Sequence, residues 1–323
     1  MNDNRARTML VVGAAALMLP LVADDYVLVL ALRALMYSLI VMSFSLLAGE
    51  LGLVSLLQST FAGVAGYGLA ILSTSYGWSA LPAAAASLLL TLATAAVFGL
   101  VSLKTSGVGF MMLTIALGQM VWALAFQWID LTRGMDGIVS IPAPEFAGLN
   151  LRDPRAMYFV TAAIVVVCFA SAHVLMESRF GLLIRGIRDN APRMRALGHP
   201  ILRARLAAFL IASFYAAVGG ILLTWETRVI TPVALDLSRA VWVLTAAVIG
   251  GTTLLGGSVV GVVIMVTLEA VLSQYTDRHI LVFGLILAFA ILLLPNGVSA
   301  FVSDLWAKRR GRSRETSAVK LAR

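Results

Sequence analysis

Residues 186–200, GIRDNAPRMRALGHP, hold much of the polar chemistry of an otherwise oily chain. They carry Arg188, Arg193 and Arg195 with Asp189 and Asn190, and they close on Gly198 and Pro200. Clustered guanidiniums recognise anions, either on a partner protein or on lipid headgroups. Elsewhere the reactive residue types are sparse or badly spaced. His173, His199 and His279 lack metal-ligand spacing, so no metal site is expected. Cys168 is the single cysteine, which rules out a disulfide within the chain and a thiolate cluster. No G-x-x-x-x-G-K-[ST], H-E-x-x-H or G-x-S-x-G motif occurs. Arg33 and Glu269 are the clear ionisable residues inside apolar runs. Both fall near run ends, where they are expected to snorkel. This inventory argues against an enzyme, an ATPase and a proton-driven carrier. It leaves a passive pathway or one driven by another subunit, with no cofactor in this chain.

Uncharged polar residues form a second set. In LVSLLQSTFAGVAGYG (53–68), helical spacing would put Ser55, Gln58 and Ser59 on one face, continued by Ala62 and Gly66. Gln119 follows Gly118 in IALGQM. Such residues line a polar translocation path, or they pack helices through small side chains and interhelical hydrogen bonds. The spacing fits both. Trp122, Trp128, Trp225 and Trp242 lie near run ends and are expected to anchor at the membrane interface. Asp136, between glycines, is expected to shape its own turn.

The elements that must position these residues are membrane helices. Of 323 residues, 60% are hydrophobic and only 12% charged, and mean hydropathy is +0.96; soluble domains are about one-quarter charged. Ten apolar runs cover roughly 9–23, 26–48, 52–73, 80–101, 108–128, 157–176, 204–224, 239–254, 257–273 and 279–295. They lack the alternation of a membrane barrel. The expected fold is therefore an all-α polytopic membrane protein of about ten spans. Residues 241–272 are nearly continuous, but GGTTLLGG (250–257) argues for a break.

Charge agrees with the break. Segment 177–205 has seven Arg against two acids, and the tail from Lys308 has seven Lys/Arg against Glu315. Lys/Arg-rich loops stay cytoplasmic, so an even number of spans must separate the two, which requires splitting the long run. Both termini are then cytoplasmic, and the first run is an uncleaved helix. Residues 1–307 read as one membrane domain and 308–323 as a disordered basic tail. A net charge of +8 fits this bias better than nucleic-acid binding. The segment 129–156 is the longest external loop, and its glycines and prolines predict local structure.

The segment 177–205 has internal design. Phe180, Leu183, Ile184 and Ile187 repeat at helical spacing, which suggests an amphipathic extension of the preceding span. Asp189 or Asn190 offers an N-cap, and Pro192 falls in the first turn of a short helix, about 192–197. Gly198 suits the left-handed position that ends a helix. Met194 and Leu197 share a face flanked by Arg193 and Arg195, an apolar knob with a basic rim. Docking onto a protein partner and binding to membrane lipid both fit that pattern.

The stretch FGLLIRGIRDNAPRMRALGHPILRARLAAFLIASFYAAVGGILL (Phe180–Leu223) resembles the cytoplasmic coupling segment of ABC importer permeases. More narrowly, the chain is similar to the branched-chain amino acid permease family, which also holds urea and short-amide permeases. LTRGMDGIVSIP (Leu131–Pro142) resembles the family's external loop, and LLAGELGLVSLLQSTFAGVAGYG (Leu46–Gly68) resembles an early span. VIGGTTLLGGSVVG and LLPNGV match by character, and the likeness covers about residues 27–300. It implies a permease subunit of the bacterial inner membrane. Its implied partners are a second permease, two cytoplasmic ATPases that bind ATP-Mg, and a periplasmic or lipid-anchored solute-binding protein. It implies ATPase contact by Arg188, Asp189, Asn190, Arg193, Met194, Arg195, Ala196, Leu197 and Gly198. Two departures stand out: Pro192-Arg193-Met194 replaces the usual acidic or alanine-rich residues, and Gln58 stands where many members have His. The first implies a dedicated ATPase partner, and the second leaves the solute open. A stand-alone channel is the competing reading.

Overall fold

The computed structural model describes residues 24–146, 149–251 and 255–272. The expected first and tenth spans and the basic tail lie outside the described residues. Among the described residues, and leaving aside the short turn Ile129–Thr132, nine helices carry the fold: α1 (Asp25–Ser45), α2 (Leu57–Ala70), α3 (Ala80–Ser102), α4 (Val108–Gln127), α5 (Pro154–Glu177), α6 (Arg179–Ala196), α7 (Ile201–Thr227), α8 (Leu237–Gly250) and α9 (Leu255–Leu272). Among the described residues, five segments are long and apolar enough to cross a bilayer: Asp25–Leu51, Ala80–Ser102, Val108–Gln127, Pro154–Glu177 and Ile201–Thr227. The protein is a helical, multi-pass membrane protein.

Burial sorts these helices. The apolar windows of α1 and α7 are 61% buried, whereas those of α3 and α4 are 28% and 22% buried. α1 and α7 therefore stand inside, and α3 and α4 turn a broad face outward. That face carries Leu89, Val97, Met112, Met120 and Leu124. In water such a contiguous patch would be costly; in hydrocarbon it is matched to its solvent. Tyr158, Phe61, Phe110 and Phe209 fill the centre. Hydroxyls inside the helices bond back to their own backbone, as Ser43 does to the Ile40 carbonyl (2.6 Å) and Thr91 to that of Ser87 (2.8 Å). This lets polar residues sit in apolar surroundings.

The 26–48 and 52–73 runs do not form two simple spans. α1 continues into a π-helical turn, Leu46–Leu51, that ends at Gly52 with φ +71°. Residues 52–55 are non-helical, and α2 starts only at Leu57. Ser55 thus precedes the helix, and the expected helical face of Ser55, Gln58 and Ser59 is not formed. The reason is the left-handed glycine, which reverses the chain and uses up the residues before Leu57. α2 is almost wholly buried, packed on α7 and α3.

The long apolar stretch does break, at Gly251 with φ +89°. Gly250 lies against Gly257, and Gly261 against Ala246. As one number falls the other rises, so α8 and α9 pack antiparallel. The missing side chains permit backbone contact, the usual basis of tight helix pairs in membranes.

The 129–156 segment is structured as expected. β1 (Ile138–Val139) pairs antiparallel with β4 (Val229–Ile230), and β2 (Glu145–Phe146) with β3 (Leu149–Asn150). Gly137, at φ +68°, abuts the Ile230 carbonyl, where a Cβ would not fit. Asp136 lies in the turn before it, closed by the Gly137 amide donating to the Gly134 carbonyl at 3.3 Å.

Candidate functional site

The polar segment begins with a sharp junction. Ser178 is extended (ψ 175°), and its Oγ accepts from the Phe180 amide at 3.2 Å. It caps α6, so α6 is a separate helix and not an extension of α5. Gly181 sits against the Met176 backbone, which closes the corner. Ile184 and Ile187 are buried in the main core, with Phe180 and Leu183 packed beside them.

Two arginines of this stem reach the end of the first described span. Arg185 donates from Nη1 to Glu50 Oε2 at 3.1 Å and from Nη2 to the Met176 carbonyl at 2.9 Å. Arg188 donates from Nη1 to the Gly49 carbonyl and from Nε to Asp189 Oδ1 at 3.2 Å. A Cβ on Gly52 would come within 2.9 Å of Arg188 Cγ. The stem is thus clamped on the Gly49–Gly52 reversal, directly upstream of Ser55, Gln58 and Ser59.

Helical geometry fails at Asn190 (φ −157°, ψ 89°). Its Oδ1 accepts from the Arg193 amide at 2.9 Å, the bond expected of an N-cap to the third helical residue. Asn190, and not Asp189, is therefore the cap, because Asp189 is engaged by Arg188. The following turn runs through Pro192 to Ala196. It ends in a double closure: the Gly198 amide donates to the Arg195 carbonyl (3.0 Å) and the His199 amide to that of Met194 (3.1 Å). With Gly198 at φ +83° this is a Schellman motif.

The expected Met194/Leu197 knob is divided. Met194 turns inward, its Sδ 3.0 Å from where a Gly186 Cβ would stand. Leu197 points away and is 67% exposed. A kink at Asn190 folds the short helix back onto the stem, which spacing along one ideal helix does not anticipate. Arg193, Arg195, Ala196 and Gly198 are exposed beside Leu197.

The uncharged polar residues disperse. Gln58 Oε1 accepts from Ser43 Oγ at 3.0 Å, while Gln58 Nε2 is buried without a partner among the described residues. Ser59 Oγ is also buried and without a partner among the described residues; the residue borders a cavity of about 210 Å³, but its hydroxyl is covered and does not open into it. Ser55 Oγ accepts from the Leu57 amide at 3.4 Å. Gln119 is half-buried and lies outside the cavity lining. Of these four, only Ser59 lines the cavity. The other polar lining residues are Tyr37, Thr224, Thr227, Thr231 and Arg239. The sequence carried little signal for them, since α1, α2, the end of α7 and the start of α8 meet only in three dimensions.

The ionisable residues of the apolar runs have partners. Arg33 Nε meets Glu226 Oε1 at 3.2 Å, and Glu269 Oε1 meets Arg239 Nη1 at 3.8 Å. Among the described residues no group of three His, Cys, Asp or Glu could hold a metal.

The family model described as branched-chain amino acid transport system / permease component matches residues 26–294. The chain is 22% identical over 295 residues to the high-affinity branched-chain amino acid transport system permease protein LivM of Salmonella typhimurium, covering 83% of this chain and 69% of that protein. LivM of Escherichia coli matches to the same extent. A probable branched-chain amino acid transport permease protein LivH of Methanocaldococcus jannaschii is 22% identical over 155 residues, 45% of this chain and 49% of that one. No solved structure matches the chain.

Proposed function

The chain belongs to the branched-chain amino acid permease family, and on that premise we propose that it is the membrane subunit of an ATP-driven importer. The solute is a branched-chain amino acid or a similar small molecule; urea or a short amide is the alternative within the same family. The unit consists of residues 1–307 with a basic tail, 308–323. It crosses the bacterial inner membrane about ten times with both termini in the cytoplasm. A second permease, two ATPases and an external solute-binding protein complete the assembly, and ATP is bound and hydrolysed in the ATPases.

One observation carries the reading. The helix that ends at Ala196 is a single capped turn, closed at Gly198, exposing Leu197 within a basic rim. A helix so short is unstable by itself in water, and here it is held by Met194 against Gly186 and by its two caps. Such rigidity is what a docking element needs, because preorganisation lowers the entropy lost on binding. The Arg185–Glu50 and Arg188–Gly49 contacts then give a displacement of this helix a route to the Gly49–Gly52 reversal. Moving that reversal shifts the buried polar residues that follow it and opens one side of the path or the other.

The test is reconstitution with candidate ATPase subunits. Leu197→Glu is expected to abolish ATP-dependent uptake while the purified chain keeps its thermal stability. Uptake that continues without ATP and is indifferent to this substitution would support the stand-alone channel, in which Arg188, Arg193 and Arg195 only bind lipid headgroups.

A further inference from the structure

The cavity at Ser59 has a chemistry of its own. Its walls are aliphatic, formed by Ile40, Leu223, Val233 and Val243. Gly63 and Gly220 also line it, where the chain packs too closely for a side chain: a Cβ would meet the Leu235 side chain at Gly63 and the Ala62 backbone at Gly220. Among the described residues, Arg239 is the one charged residue in its lining. Several hydroxyls also line it. Thr224 Oγ1 donates to the Gly220 carbonyl at 2.8 Å and Thr227 Oγ1 to that of Leu223 at 2.9 Å. Each therefore keeps acceptor capacity. β4 and Val233 and Ala234 of the following turn also line it, together with α1 and the first half of α2.

Arg239 is loosely held. Its contact with Glu269 is 3.8 Å, at the limit of an ion pair, and both side chains are about one-third exposed. Such a pair contributes little, and a ligand carboxylate accepting two guanidinium hydrogen bonds would replace it.

We propose that this cavity is a solute-reading site within the membrane subunit. Arg239 takes the carboxylate of an aliphatic amino acid, the Thr227 hydroxyl oxygen receives its ammonium, and the Ile40–Leu223–Val243 wall holds its alkyl group. The site rests on the permease reading and narrows it. Urea has neither a carboxylate for the arginine nor an alkyl group for the wall.

The experiment measures binding without ATPase. The full chain, with any partner permease that co-purifies, is placed in lipid nanodiscs. Radiolabelled L-leucine is competed with leucine, leucinamide and urea. Leucine is expected to outcompete leucinamide by more than about tenfold, the lower range for charge-assisted hydrogen bonds, and urea not to compete. Arg239→Gln is expected to erase that preference and Glu269→Gln to keep it. Equal competition by leucine and leucinamide in the unaltered chain would overturn the proposal. So would the absence of leucine binding, a preference that survives Arg239→Gln, or its loss in Glu269→Gln, which would make the arginine structural. If Arg239→Gln does not fold, Arg239→Lys decides: a weakened preference supports the site, and an unchanged one overturns it. Because no ATPase is present, the result is separate from the uptake test. A chain that couples to ATP but ignores the carboxylate fails here alone.

Discussion

At the scale of single residues, the clamp and the helix stop make the sharpest claims. Arg185 is held by Glu50 and by the Met176 carbonyl, and neither partner is fully exposed. Glu50→Gln is expected to cost roughly 1 kcal/mol of stability, the upper range for a half-exposed pair. Its larger effect falls on coupling: ATP hydrolysis by the assembly continues while solute uptake per ATP drops. Exchanging the two, Glu50→Arg with Arg185→Glu, is expected to restore part of the uptake; a simple folding defect would not be rescued. Gly198 is different in kind. Its Cβ would meet nothing within 4 Å, so only the backbone objects. Gly198→Ala should cost about 1 kcal/mol, the penalty for a left-handed alanine, read as a small fall in melting temperature. A change to a bulky charged side chain at the same place adds a block to docking, read as lost uptake.

Elements explain why these residues lie where they do. Ser178 ends one helix and caps the next, so α6 starts afresh after a sharp junction and lies against the Gly49–Gly52 reversal. Ser178→Ala removes the cap and is expected to destabilise by about 1 kcal/mol, with ordered helicity lost first in α6, as amide hydrogen exchange would show. α8 and α9 depend on contact between backbones at Gly250, Gly257 and Gly261. Gly261→Val places two methyl groups where the Ala246 carbonyl lies, and overpacking of this sort costs about 1–3 kcal/mol. The expected outcome is a lower melting temperature and poor recovery from detergent, with Gly256→Val, which meets nothing within 4 Å, as the tolerant control.

For the whole molecule, the exposed apolar faces of α3 and α4 and the polar segment at α6 are what the proposed orientation has to accommodate. In the proposed topology the arginine-rich 177–205 end lies in the cytoplasm and the β1–β4 pair outside. Cys168 is buried and single, so replacing it by Ala gives a background for labelling. A cysteine in place of Ser140 should then react with an impermeant maleimide added to intact cells. One in place of His199 should react only after the membrane is opened. The reverse pattern would refute the proposed topology, and with it the cytoplasmic docking role of the short helix.

Composition and charge determined a great deal unaided. The oily runs of α1, α3, α4, α5 and α7 read as spans because the free energy of an apolar helix in lipid depends on its own length and content. The glycine break near residue 251 and the stops at Asn190 and Gly198 were equally local, since caps and left-handed glycines act over four or five residues. What the sequence did not contain was direction after a bend. Only the folded chain decided that Met194 turns inward while Leu197 stays out, and that Ser55 falls before α2. Only it brought Tyr37, Ser59, Thr224 and Arg239 around one cavity. These residues come from four separate segments, and their meeting depends on how close the backbones approach, a property of packed pairs that no single segment carries.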